Sequence, residues 1–237
     1  PTFRFTGDAA VFPDEYAERI GVEHRNGRHH HRIHLIDGLF DYQRAIIRIA
    51  LEKQRFCVFA DCGLGKTLMF LEYARNVIRW LPKGRCILII SPLMVVRQTM
   101  AECEKFYGGR LALKQLHAAN LAEWMLHGRE RIGITNYDAL KHDTPQGRLG
   151  ALILDESSML KSHYGKWGGI CLRLGRGLQW KMACPGTPAP NDRIEYANHA
   201  VFMDAFRTVN SFLARFFVNP GQTDNRWALK PPAVHPF

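Results

Sequence analysis

The chain has 237 residues, 46% apolar and 23% charged, and its 32 Lys plus Arg against 22 Asp plus Glu give a formal net charge of +10. A chain of this size buries about 70–75% of the surface that its unfolded form exposes, which excludes intrinsic disorder and a disulfide-stapled miniprotein and sets one or two domains. No apolar run approaches the roughly 20 residues needed to span a bilayer, and neither a secretory leader nor a C-x-x-C pair is present, so free thiols in a reducing compartment are expected.

Residues 1–39 read as an irregular leader. Gly7, Pro13, Gly21, Gly27 and Gly38 punctuate it, and Arg28 to His34 is a histidine-rich basic patch. That patch has no Cys or carboxylate at a ligand spacing, so a solvated loop is expected there. From Phe40 the pattern changes: Ile46, Ile47, Ala50 and Leu51 recur at helical spacing through Lys53, and Phe56 to Ala60 is a short apolar run with strand composition. Leu68 to Trp80 predicts a helix ended by Pro82-Lys83-Gly84, and Cys86 to Ile90 predicts the next strand. Met94 to Phe106 follows as a helix, then Ile132 to Thr135, Ala151 to Leu154 and Gln179 to Cys184 as strands. Residues 193–217 read as helical, and the Pro- and Gly-rich end, 219–237, as a linker.

Strands rich in Ile, Leu and Val, without polar alternation and separated by helices, suit a parallel sheet covered on both faces. The expected fold is therefore α/β, a doubly wound parallel sheet occupying residues 40–218.

The sharpest motif is Ala60-Asp61-Cys62-Gly63-Leu64-Gly65-Lys66-Thr67, a phosphate-binding loop with Ala in place of the first Gly. It follows a strand and opens a helix, so backbone N–H groups and the positive end of the helix dipole converge on an anion. Gly63 and Gly65 allow the tight curl, Lys66 reaches the β and γ phosphates, and the Thr67 hydroxyl is a ligand for Mg²⁺. A second motif, Leu152-Ile153-Leu154-Asp155-Glu156, is an apolar strand ending in two carboxylates. At the carboxyl end of a strand they face the crevice where open α/β sheets bind ligands. Asp155 is placed to hold Mg²⁺ and Glu156 to orient the water that attacks the γ phosphate.

Read in order, Tyr42-Gln43, D-C-G-L-G-K-T at 61–67, I-S-P at 90–92, I-T-N-Y at 134–137, L-D-E-S-S-M-L-K at 154–161 and P-G-T-P-A-P-N at 185–191 resemble the first-lobe motifs of superfamily-two helicases. The closest resemblance is to Swi/Snf-type double-stranded DNA translocases, particularly compact phage and prokaryotic members. It implies a RecA-like lobe of the phosphate-loop NTPases that uses ATP and Mg²⁺ and acts on duplex DNA. It also implies cytoplasmic residence in a prokaryotic or phage setting, or nuclear residence in a eukaryote. By the same resemblance Gln43 reads adenine, with Phe40 or Tyr42 against the base. Gly63, Leu64, Gly65, Lys66 and Thr67 hold the triphosphate and metal, and Lys66, Asp155 and Glu156 carry the chemistry. Pro92, Arg97, Thr135 and Tyr137 border the nucleic-acid track, while Ser158, Gly186 and Thr187 couple nucleotide state to lobe movement.

Three further expectations complete the reading. Ser157 and Ser158 replace the last two residues of the commoner D-E-A-H, so a shorter hydroxyl hydrogen bond takes over the contact of that histidine. The windows 56–110 and 161–190 carry +4 and +5 of the net charge, and in the second Lys161, Lys166, Arg173, Arg176 and Lys181 stand without an acid among glycine-containing turns, as candidates for phosphate contacts. The chain is expected to lack the second lobe that supplies an arginine finger, and so to hydrolyse slowly alone. Two other readings stay open: a nucleotide- or DNA-binding module without hydrolysis, and a lobe of an RNA helicase or restriction-enzyme motor.

Overall fold

The structure is a computed structural model that describes residues 4–6, 9–11, 31–61, 63–157, 166–186, 196–218 and 228–230. Near the start, β1 (Arg4–Thr6) and β2 (Ala9–Val11) form an antiparallel pair. The main body then runs α1 (Asp41–Lys53), β3 (Arg55–Cys57), α2 (Lys66–Trp80), β4 (Cys86–Ser91), α3 (Leu93–Tyr107), β5 (Leu113–Gln115), α4 (Leu121–His127) and β6 (Ile132–Asn136). A 3₁₀ turn at Tyr137–Ala139 leads on to β7 (Leu149–Asp155), α5 (Lys166–Gly175), β8 (Trp180–Cys184), α6 (Tyr196–Phe202) and α7 (Val209–Phe216). A short antiparallel pair, β9 (Phe217–Val218) with β10 (Ala228–Leu229), follows.

Strands β3 to β8 form one six-stranded sheet in the order β3-β8-β7-β4-β6-β5, parallel throughout. The expected doubly wound α/β fold is observed. Its cause is visible in β4, where every residue is buried. Ile87 and Ile89 join the apolar layer under α1, α2 and α3, while Cys86, Leu88 and Ile90 join the opposite layer with Trp124, Ile170 and Leu174. The period-two alternation thus feeds two cores. Each such side chain contributes about 1.5–3 kcal/mol by leaving water, which fixes the strand in the middle of the sheet.

Three sequence expectations need correction. Residues 166–175 form a helix rather than a chain of glycine turns, because Ile170, Cys171 and Leu174 lie on one face and sink into the core beside β7. The helical stretch expected over 193–217 is two helices, separated where Asp204 adopts φ 58°. Residues 31–39 are part of the packed body. His31 stacks on Trp80 at 4.6 Å between ring centroids, and Ile33, Leu35, Ile36 and Leu39 pack on the core. Asn76 and Glu72, both buried on α2, fasten the segment: His34 N–H donates to Asn76 Oδ1 (2.9 Å) and Ile36 N–H to Glu72 Oε2 (3.1 Å). The rest of the histidine patch lies outside the described residues.

Cys57, Cys86, Cys103, Cys171 and Cys184 are unpaired. Burial pushes the thiols up, to about 12 for Cys57 and Cys171 and about 11 for Cys86 and Cys103, which makes them structural rather than reactive. Among the described residues no helix is long and apolar enough to cross a membrane.

Candidate nucleotide site

All strands of the sheet run the same way, so the segments following β3, β4, β7 and β8 emerge at one edge. Residues 58–67, Ser91-Pro92, Asp155-Glu156 and Pro185-Gly186 meet there, at the crevice where such sheets bind ligands. The phosphate loop leaves β3 with Val58 N–H donating to Ala183 O (2.8 Å), and α2 begins at Lys66 directly after Gly65. Gly63 and Gly65 have φ 86° and 71°, conformations that favour glycine. A Cβ on Gly65 would also collide with Gln43 Nε2. Cys62 lies outside the described residues.

Lys66 is buried, and its ammonium donates to Ala60 O (3.0 Å) and pairs with Glu156 Oε1 (3.1 Å). It therefore bridges the start of the loop and the end of β7, the gap that a triphosphate would fill. Asp155 is held from several sides. Ser91 Oγ donates to its Oδ2 (2.6 Å), the Glu156 N–H to its Oδ1 (3.0 Å), and the Tyr137 hydroxyl to its carbonyl (2.7 Å). Burial lifts the Asp155 carboxyl to about 6, against the Ser91 hydrogen bond that pulls it down, with the Glu156 charge adding to the rise. A buried acid raised in this way gains from a nearby cation. With the half-buried Thr67 hydroxyl it makes a pair of hard oxygen donors of the kind Mg²⁺ takes, so these residues fit the metal that the sequence implied.

Glu156 has φ 45°, a left-handed conformation costing a non-glycine residue about 1–3 kcal/mol. From this backbone its carboxylate reaches Lys66. A Cβ on Gly186 would stand 2.9 Å from Glu156 Oε2, so the absence of a side chain there lets the segment following β8 approach the carboxylate. Beside the loop Gln43 is buried: its Oε1 accepts from Phe40 N–H (3.1 Å) and its Nε2 donates to Leu64 O (3.3 Å). The Tyr42 hydroxyl donates to the same Leu64 carbonyl (3.2 Å). Phe40 and Tyr42 stack with centroids 5.8 Å apart and remain exposed.

The expected nucleic-acid border is only partly supported by placement. Pro92 caps α3, and Arg97 is exposed on that helix beside exposed Leu93 and Met94. Thr135 and Tyr137, expected to border the track, are interior residues. Thr135 Oγ1 donates to Leu116 O (3.0 Å), and Tyr137 spends its hydroxyl on Asp155. Lys181 is also corrected: it is buried, donating to Phe202 O (2.7 Å) and pairing with Asp204 (2.8 Å). Arg173 donates to the His142 and Thr144 carbonyls, tying α5 to the loop before β7. Lys166 opens α5, and Ser158, Lys161 and Thr187 lie outside the described residues.

Two partners of the Asp-Glu segment, Ser91 and His199, were not singled out from sequence. Ser91 is the middle residue of I-S-P, and its position at the end of β4, beside β7, was the available signal. The other pair is Ser157 Oγ and His199 Nε2, 2.9 Å apart and buried, which joins the segment after Glu156 to α6. Ser157 stands at one of the two positions that depart from D-E-A-H, and a histidine supplies the other side of its hydrogen bond from a distant helix.

A phosphate-loop cradle and an anchored Asp-Glu pair on one edge of a doubly wound sheet define a RecA-like nucleotide-binding lobe. The chain belongs to the SNF2-related domain family, whose model matches residues 42–230. It is 28% identical over 216 residues to putative protein p41 of Acyrthosiphon pisum secondary endosymbiont phage 1, covering 78% of this chain and 45% of that protein. It is 25% identical over 171 residues to the DNA repair and recombination protein RAD54-like of Gallus gallus, covering 63% of this chain and 23% of that protein. Among solved structures, the Sulfolobus solfataricus SWI2/SNF2 ATPase core in complex with dsDNA shares the fold with a TM-score of 0.60 at 21% identity, covering 74% of this chain and 38% of that one. The UvsW helicase of bacteriophage T4 superposes with a TM-score of 0.52 at 17% identity, covering 69% of this chain and 57% of that one. The chain thus spans less than half the length of these curated relatives.

Proposed function

We propose that this chain is the ATP-binding and hydrolysing first lobe of a duplex-DNA translocase, completed by a second lobe and resident in a prokaryotic or phage-infected cytoplasm. The observation that carries the reading is the Lys66, Glu156, Asp155 and Ser91 constellation at the sheet edge, in a chain of the SNF2-related family. The phage relative and the span of under half of the relatives' lengths support the setting and the second lobe.

In this reading the adenine lies on Phe40 and Tyr42, and the Gln43 amide exchanges its present partners for the base edge. The triphosphate takes the place of Glu156 on Lys66, whose charge then moves onto the β and γ phosphates. That exchange releases the Glu156 carboxylate to accept a hydrogen bond from the attacking water and hold it in line. Thr67 and Asp155 would hold Mg²⁺, which would supply neutralisation of the triphosphate charge. Ser91 keeps Asp155 in one rotamer, and Gly186 lets the segment after β8 sense whether the Glu156 carboxylate faces Lys66 or substrate. An arginine from the second lobe adds stabilisation of about 10³-fold or more, as in other phosphoryl-transfer enzymes. Alternating closure of the two lobes then steps the motor along the phosphodiester backbone, with Lys161, Lys166 and Arg97 among its contacts.

The test is hydrolysis by the full-length protein with duplex DNA, single-stranded DNA and RNA, beside a Glu156→Gln variant. Duplex stimulation that is lost in the variant while ATP still binds is the expected result. Stimulation by RNA alone, or ATP binding without hydrolysis under every condition, overturns the reading.

A further inference from the structure

The edge of the sheet opposite the nucleotide crevice has its own pattern. Arg85, Arg131 and Arg148 each occupy the residue directly before a strand, and those strands, β4, β6 and β7, are neighbours with β4 in the middle. The guanidinium groups of Arg131 and Arg148 converge on the turn that carries Arg85, residues 81–85. Arg131 Nε donates to Arg85 O (3.0 Å) and its Nη2 to Leu81 O and Pro82 O (both 3.1 Å). Arg148 Nη1 donates to Gly84 O (3.0 Å), and Arg85 Nη1 reaches Leu149 O at 3.4 Å. Lys83 and Arg129 are exposed in the same turns, and Arg176 is exposed in the turn before β8. All three arginines act together on the buried thiol of Cys86, opposing the rise that burial imposes.

No acid balances the group. Among the described residues none of Arg85, Arg131 and Arg148 has a carboxylate within salt-bridge reach, and the one acid in these turns, Glu130, pairs with Lys114 at 3.2 Å. By contrast Arg55, at the start of β3, is paired with Asp204 at 3.1 Å. Holding three like charges on one turn without a counter-ion is unfavourable in the free protein, and an anionic partner removes the repulsion. Backbone hydrogen bonds already fix the guanidinium groups, so little side-chain entropy remains to be lost on binding.

We infer that this edge is a second nucleic-acid surface, which takes the phosphate backbone of a duplex segment distinct from the one at the nucleotide edge. The dimensions favour a duplex. Strand starts in a sheet are about 4.8 Å apart, so the row from β8 through β7 and β4 to β6 spans about 14 Å, over which one DNA strand carries about four phosphates. Arginine is the residue best suited to phosphate geometry. The six residues of β4 separate this row from the nucleotide edge by about 20 Å. Two of the eight cations in window 56–110, Lys83 and Arg85, thus belong to this edge rather than to the nucleotide edge. The inference deepens the duplex-acting reading and rests on it.

The test is fluorescence anisotropy of a labelled 20-base-pair duplex with the 237-residue chain, titrated between 50 and 200 mM salt, for wild type and Lys83→Gln/Arg85→Gln/Arg129→Gln. These three side chains are exposed, and unchanged melting temperature and ATP affinity confirm that the fold and the nucleotide site are intact. Since the variant can no longer neutralise three phosphates, the slope of log K on log salt falls by about 2–3, and the advantage of wild type over the variant shrinks about 40-fold across that range. Parallel lines of equal affinity overturn the inference, as does an equal effect on binding of a polyglutamate peptide, which reassigns the surface to an acidic protein. Duplex-stimulated hydrolysis by the full-length protein, with the triple variant binding like wild type, removes this surface alone. Absence of any duplex binding or stimulation removes the duplex-acting reading together with it.

Discussion

Replacing Glu72 by Ala tests how residues 31–39 are held. Glu72 sits in the middle of α2 and is fully buried. Its carboxylate accepts from Arg75 at both oxygens (Nε to Oε1 2.6 Å, Nη2 to Oε2 2.9 Å), from the Tyr107 hydroxyl (2.8 Å) and from Ile36 N–H (3.1 Å). Arg75 also donates to the His34 carbonyl, so one side chain joins α2, α3 and the segment before α1. Removing one partner of a buried ion pair costs about 3–5 kcal/mol, and each buried donor left without an acceptor adds about 1–3 kcal/mol. Arg75 retains 21% side-chain exposure, so water compensates part of its loss. The net expectation is about 4 kcal/mol, which in a chain of this length lowers the melting temperature by about 8–16 °C. Tyr107→Phe, which removes one hydrogen bond to a charged acceptor, costs about 1.5–3 kcal/mol. Thermal unfolding measures both, and hydrogen exchange at the Ile36 and His34 amides reports the local consequence: in Glu72→Ala they exchange far faster than the strands of the sheet. A loss below about 1 kcal/mol with both amides still protected would refute the assignment of Glu72 as the anchor.

Two further substitutions probe the crevice. Gly186→Ala puts a methyl group against Glu156 Oε2, and it is expected to lower turnover by tenfold or more while ATP affinity, measured with a fluorescent analogue, changes little; a variant with full turnover would show that the close approach is dispensable. Ser157→Ala leaves His199 without the buried hydroxyl at 2.9 Å, with an expected loss of about 1–3 kcal/mol in urea unfolding, and Ser157→Thr, which keeps the hydroxyl, is expected to recover much of it; equal stability of the Ala variant and wild type would show that the pair contributes nothing.

The long apolar strands and the phosphate loop were legible in the sequence because local chemistry determines them. Cys86 to Ile90 has no polar alternation and becomes the centre of the sheet, and Gly65-Lys66-Thr67 opens α2 where the motif requires. The Asp-Glu pair was legible for the same reason. What escaped depends on distant partners. Gly168, Gly169 and Gly175 suggested turns in a stretch that folds as α5, since burial of Ile170, Cys171 and Leu174 outweighs glycine's poor helix propensity. The three-residue β5 is an edge strand too short to show a period. Charge was the least legible property. Lys181 counts as a surface cation until the strand around it is seen to be buried, with Asp204 arriving from the turn after α6. Arg85, Arg131 and Arg148, far apart in sequence, become neighbours only through the order of the strands.

In the proposed motor the ties on Asp155 bear on how the lobe would transmit force. Its carboxylate is fixed from β4 by Ser91 and its carbonyl from the end of β6 by Tyr137, so three adjacent strands share one residue. A group moored in this way shifts only if the whole sheet deforms, which makes the strand ends an anvil rather than a lever. In the proposed motor the stroke falls instead to what lies just beyond them: the Glu156 carboxylate, which exchanges Lys66 for substrate, and Gly186, whose missing side chain leaves it against that carboxylate.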